Sequence, residues 1–127
     1  MTNYLQNIET ITLKNEHFRQ VLYTSQHLQL VVMSLKPNES IGMETHAVTD
    51  QFLRIEVGEG KVIMNGEEKS VSAGDAFVVP AGTEHNVINT SAENPLKLYT
   101  IYAPPHHKDQ TVHATKAAAE ADVEDHL

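Results

Sequence analysis

From Phe18 to Ala103 the chain repeats short apolar stretches at close spacing, each closed by turn residues. HLQLVVMSL (His27 to Leu35) stops at Lys36-Pro37-Asn38, and QFLRIEVG (Gln51 to Gly58) is followed by KVIMNGEEKSV; then come DAFVVP, EHNVIN and LKLYTIYAP. Asn65-Gly66, between KVIM and EEKSV, marks a two-residue hairpin, because the turn that matches strand twist needs positive φ at both central positions. Runs of this kind predict an antiparallel β sandwich or barrel. About eight strands are expected, a number that suits a small closed barrel.

The two ends differ from this middle. Asn3 to Leu13 fits either a short helix or an edge strand, and the pattern leaves both open. TKAAAEADVEDHL has high helix propensity, with Thr115 as its N-cap. Asp122, Glu124 and Asp125 in its last turn oppose the helix dipole, so that end is expected to fray. A chain of 127 residues has room for a single domain, expected over 1–127, with a barrel core over about 18–103 and a tail and helix over 104–127. That length buries a core without disulfides or metals to hold it together.

The formal net charge is −8 and the Lys and Arg residues are scattered, which argues against nucleic acid or an anionic membrane surface as partner. The absence of cysteine excludes a disulfide scaffold, thiolate zinc sites and cysteine catalysis, and suits a reducing compartment. MTNYLQNIETITLKNEH has neither a basic start nor an apolar run, and no stretch approaches the ~18 apolar residues of a membrane span. A soluble cytoplasmic protein is the expectation.

Within GDAFVVPAGTEHNVIN the fixed points are Gly74, Pro80, Gly82, His85 and Asn89. Their spacing matches the second conserved motif of the cupin family, and on it the chain resembles a single-domain cupin over roughly Phe18 to Ala103. The family's first motif falls on GMETHAVTDQFLRIEVGEG, opened by Gly42 and closed by Gly58. Here the chain departs from the pattern: counting back from Gly58 puts Gln51 at the glutamate position, His46 at the second histidine, and Glu44 at the first. The resemblance implies an all-β jelly-roll barrel, with a short C-terminal helix outside it. It also implies a lumenal site in which Glu44, His46, Gln51 and His85 hold one divalent metal ion. Two His, one Glu and one Gln carry the same single negative charge as the family's three His and one Glu, so the carboxylate is relocated rather than lost. Replacing an imidazole by an amide oxygen makes the set harder, favouring Mn, Fe, Ni or Zn over Cu.

Strand phase supplies an independent check, because side chains two apart share a face. Glu44 and His46 are two apart, Gln51 is in phase with Leu53, Ile55 and Val57, and His85 is in phase with Val87; Phe52, Arg54 and Glu56 face the other way. All four candidates thus fall on inward faces. The same residues can form a metal-free lumenal cluster, provided that every polar atom is hydrogen-bonded. Gly42, Gly58, Gly74 and Gly82 fit turns that need positive φ, and Asn89 fits a strand-end tie better than a substrate contact.

YAPPHHKDQTVHATK places His106, His107 and His113 just beyond the last strand. The segment after Pro104-Pro105 either runs as a solvated surface tail, the simpler course, or folds back over the barrel mouth as a lid. In the second case His106 or His107 is placed to act as general acid or base beside the metal. Fold resemblance alone does not choose a reaction. A metal-dependent isomerase or lyase acting on a polar or sugar-like molecule is the leading reading, and some cupins that act on unsaturated uronates carry Gln at the glutamate position. The others are a non-haem metal dioxygenase, against which the low imidazole count weighs, and a non-catalytic barrel that binds or senses a small ligand. Each places a small molecule in the lumen. Single-domain cupins are commonly homodimers, and outward phases for Phe52 and Tyr102 are compatible with that.

Overall fold

A computed structural model describes residues 3–125 of the chain. Its elements run α1 (Ile8–Lys14), β1 (Arg19–Thr24), β2 (Gln29–Leu35), β3 (Asp50–Val57), β4 (Glu59–Met64), β5 (Glu67–Ser72), β6 (Ala76–Val79), β7 (His85–Asn89), β8 (Leu96–Ala103), β9 (Val112–His113) and α2 (Lys116–Ala121). The eight expected strands are all present. Asn65 and Gly66 take φ of 48° and 82°, so Met64 faces Glu67 and β4 runs against β5 without a slip.

Two antiparallel sheets form the jelly roll, one ordered β6-β3-β8-β2-β1-β9 and the other β5-β4-β7. Their inner faces meet in a core of Val31, Met33, Leu35, Leu53, Ile55, Val62, Val87, Leu96 and Leu98, all buried. Asn89 ties one end shut: its amide nitrogen donates to the carbonyls of Leu35, Lys36 and Asn94. The N-terminal segment is a helix. Asn7 caps it by accepting from the Thr10 amide at 2.9 Å, and it packs against β2, β3 and β8. Val32, whose side chain alternates away from the lumen, is therefore buried as fully as Val31 and Met33.

Three expectations from phase and propensity give way to local structure. Val57 is 37% exposed, because the β3–β8 register shifts between Ile55 and Val57 and ends the inward row at Ile55. Tyr102 is buried rather than outward, in the row of Leu96, Leu98 and Thr100. The C-terminal helix expected over residues 115–127 stops at Ala121, where Asp122 caps it, and Asp125 beyond it is buried; residues 126 and 127 lie outside the described residues.

The largest difference lies after β8. The chain leaves through a cis Ala103–Pro104 bond and folds back across the barrel rather than running free. Gln29 anchors the return, accepting from the amides of His106 and His107 and donating to the His107 carbonyl at 2.7 Å. β9 then adds to β1, with Arg19 opposite His113. No described helix is long and apolar enough to cross a membrane.

Candidate metal centre

Glu44 lies outside the main ladders but pairs directly with the start of β7. Its amide donates to the His85 carbonyl at 2.8 Å, and the His85 amide donates back at 2.9 Å. Two residues on, the His46 carbonyl accepts from the Gly82 amide at 2.8 Å, so the two motif segments are stitched together by main chain. This stitching brings His46 Nε2 to 3.5 Å from Glu44 Oε2 and sets the His46 ring 5.2 Å from that of His85. Glu44, His46, Gln51 and His85, the four ligands expected from the motifs, line one cavity of about 10 Å³ together with Tyr102. That is room for about one water-sized occupant.

The tail adds a residue to this group. His106 lies with its ring 4.2 Å from His46, and ligand atoms of Glu44, His46 and His106 all fall within 4.8 Å of one another. His106, considered above as an acid or base, thus sits among potential donors. His85 is beside this triad and Gln51 is across the same cavity.

The hydrogen bonds around the two remaining candidates suit a cation. Gln51 Nε2 donates to Thr100 Oγ1 at 3.0 Å, and that hydroxyl donates onward to the Phe52 carbonyl at 2.8 Å. Gln51 is thereby fixed with Oε1 buried and unpartnered, a state that costs on the order of 1–3 kcal/mol unless an electrophile faces it. His85 Nδ1 is 2.9 Å from the Thr83 carbonyl. A carbonyl can only accept, so Nδ1 carries the proton and Nε2 is the ring atom left to face a cation, the second-sphere arrangement of metal-bound histidines.

His107 has a different place. It is buried, with Nδ1 2.5 Å from Asp125 Oδ2 and Nε2 3.3 Å from the Tyr102 hydroxyl. Burial works to raise the Asp125 carboxyl, but the hydrogen bonds from His107, Thr111 and the Lys108 amide outweigh it and hold the group well below the usual carboxylate range. With Asp125 ionised, Nδ1 donates to it, and Nε2 faces the Tyr102 hydroxyl. Burial pushes the Tyr102 phenol well above its usual range, although Arg19 works against the shift. The phenol therefore stays protonated. A second pair, His113 Nε2 to Asp122 Oδ2 at 3.0 Å, joins β9 to the end of α2, and the bond from His113 draws the Asp122 carboxyl down.

Residues 31–102 match the family model of the cupin domain. The chain is a cupin. It is 50% identical over 124 residues to the uncharacterized protein YrkC of Bacillus subtilis, a match that takes in 93% of this chain and 66% of YrkC. The cupin thus spans about two-thirds of that relative's length. The crystal structure of BH2720 from Bacillus halodurans superposes with a TM-score of 0.92 at 47% identity, covering 94% of this chain and 95% of that one. A predicted oxalate decarboxylase of Thermotoga maritima superposes with a TM-score of 0.57 at 26% identity, over 61% of this cupin and 66% of its own chain. Arg19, Gln29, Tyr102 and Asp125 are the site neighbours that strand patterns did not bring forward. None lies in either cupin motif.

Proposed function

We propose that this cupin is a metal-dependent enzyme of isomerase or lyase type, acting on a small polar molecule at the barrel mouth. The observation that carries the reading is the convergence of Glu44, His46 and His106 donors beside a buried, unpartnered Gln51 oxygen. Glu44, His46, Gln51 and His85 would hold the ion, with His106 completing the set from the tail in place of the acid-base role considered for it. The ion would supply Lewis-acid polarisation of a substrate oxygen. Carboxylate and amide oxygens mixed with imidazoles suit Mn, Fe, Ni or Zn.

The protein's own groups then divide the work. Thr83 orients the His85 ring, and Thr100 orients the Gln51 amide. The Tyr102 phenol borders the cavity, with its hydroxyl held against His107. His107 has both ring nitrogens engaged with Asp125 and Tyr102, so it is a positioning residue rather than the acid or base itself. Likeness to a predicted oxalate decarboxylase favours the lyase half of the proposal. The proposal includes a cytoplasmic homodimer: β6 is a terminal strand and its Val78 is 55% exposed, while the lack of cysteine suits a reducing compartment.

Elemental analysis of untagged protein, wild type beside Glu44→Ala and His85→Ala, tests the site. A single ion per chain, lost in both variants while the barrel stays folded by circular dichroism, is the expected result. Wild type that takes up no Mn, Fe, Ni or Zn would overturn it in favour of a metal-free binding barrel.

A further inference from the structure

A second cavity, of about 460 Å³, opens between the barrel mouth and α2, walled by Phe18, Arg19, Ile41, Glu44, Lys116 and Ala119 among others. Its size falls within the range of small-molecule sites. Glu44 borders both this cavity and the small one at the candidate metal centre, so a molecule in the larger space abuts the centre.

Arg19 is the feature of this wall that calls for an occupant. It projects from β1 opposite His113 and is only 6% exposed. Its Nη1 is 3.4 Å from His113 Nδ1. His113 Nε2 donates to Asp122, so Nδ1 meets Arg19 as a neutral lone pair. The Tyr102 hydroxyl is its other polar neighbour. Arg19 Nε is buried with no partner, and no described carboxylate forms an ion pair with the guanidinium. The Phe18 ring, 5.3 Å from the guanidinium carbon, packs against it.

A guanidinium removed from water and given neutral neighbours is costly, and proteins ordinarily offset that cost with a paired anion. The planar fork of Arg matches a carboxylate through two parallel hydrogen bonds. Lys116, half-buried with Nζ 3.3 Å from Ser40 Oγ, adds a second cation to the same cavity. Of the other carboxylates on the wall, Glu120 is exposed and Asp122 is engaged by His113.

We propose that this cavity is the substrate site for a small hydroxy- or keto-carboxylic acid, whose carboxylate is held by Arg19 while its second oxygen faces Glu44 and the metal centre. The carboxylate contact rests on Arg19 and needs no metal; the second contact rests on the proposed metal reading.

Isothermal titration calorimetry with lactate and gluconate, and with neutral lactamide as control, separates the two. Wild type is titrated both metal-loaded and after chelator dialysis, beside Arg19→Met and Ala119→Trp. The expected result is binding of at least one acid but not lactamide, with Kd raised on the order of 30-fold or more in Arg19→Met. Ala119→Trp, which places an indole in the cavity and leaves Arg19 in place, should also raise Kd, and it carries the test should Arg19→Met not fold. Binding of the acids by Arg19→Met or Ala119→Trp as tightly as by wild type overturns the proposal, as does binding of neither acid by wild type in either metal state. Arg19-dependent binding in protein that takes up no metal would keep the carboxylate site and remove the metal reading; metal uptake without acid binding would do the reverse.

Discussion

Asp125→Asn is the most informative single change, because it keeps the side chain's shape and removes only the charge that holds the tail. The carboxylate is buried and accepts from His107 Nδ1 at 2.5 Å, Thr111 Oγ1 at 3.1 Å and the Lys108 amide at 3.3 Å. At 1% side-chain exposure no discount for solvent screening applies to the His107 pair. Asparagine retains one acceptor oxygen but loses the charge-assisted bond and turns an NH₂ toward ring or hydroxyl donors. Hydrogen bonds to charged groups are worth about 1.5–3 kcal/mol, and breaking a buried pair costs about 3–5 kcal/mol. A local loss of about 3 kcal/mol follows. The barrel need not feel all of it, because a terminal segment that undocks limits the damage to its own docking free energy. The melting temperature should therefore fall by less than the roughly 10–15 °C that about 3 kcal/mol would bring if wholly global. The His106 and His107 amides, both bonded to Gln29 Oε1, should lose protection from hydrogen exchange on the order of 100-fold. Amides in β2 and β8 should change far less. Unchanged exchange at His106 and His107 would refute the latch.

Two further outcomes follow from backbone geometry and from the tail's acids. Gly42 and Gly58 have nearly equal φ of 108° and 103°, but a Cβ at Gly58 would lie 2.5 Å from the Pro95 carbonyl oxygen while one at Gly42 meets nothing within 4 Å. Gly42→Ala should cost about 1–2 kcal/mol by urea denaturation and Gly58→Ala roughly 1–3 kcal/mol more; equal costs would show that φ alone matters at both turns. Asp122 and Asp125 are held below their ordinary value of 3.8 in the folded state. Their contribution is complete above that value and drains away as pH falls through the lower folded value. Urea midpoints should therefore drop from about pH 4 downward, less steeply in Asp125→Asn; parallel profiles for the two proteins would remove Asp125 from the account.

The barrel was legible in the sequence because its signals are local. Asn65-Gly66 set one hairpin, alternation around Gln51, Leu53 and Ile55 set an inward face, and the spacing from Gly74 to Asn89 pointed to the strand that carries His85. Where the signal is not local, reading failed. LKLYTIYA has apolar residues on both faces, so alternation could not decide that Tyr102 points inward. The bulge after Ile55 depends on its neighbour β8, and nothing in QFLRIEVG announces it. The tail's course rests on Gln29 meeting the His106 and His107 amides, a contact across 77 and 78 residues. His107 meeting Asp125 is likewise a pairing that no periodicity encodes.

These failures concentrate at one place. The motifs bring Glu44, His46, Gln51 and His85 to the lumen, but His106, Tyr102 and Arg19 complete its mouth, and the tail determines the position of the first and braces the other two. His107 ties the tail to Tyr102, and His113 ties it to Arg19. A ligand or ion that touches His106 or Arg19 therefore binds the docked tail more tightly than the undocked one. Linkage then requires that the bound ligand favour the docked tail over the undocked one by the same factor. The segment after β8 acts as part of the site itself, and the buried Asp125 beneath it is the charge that makes docking favourable.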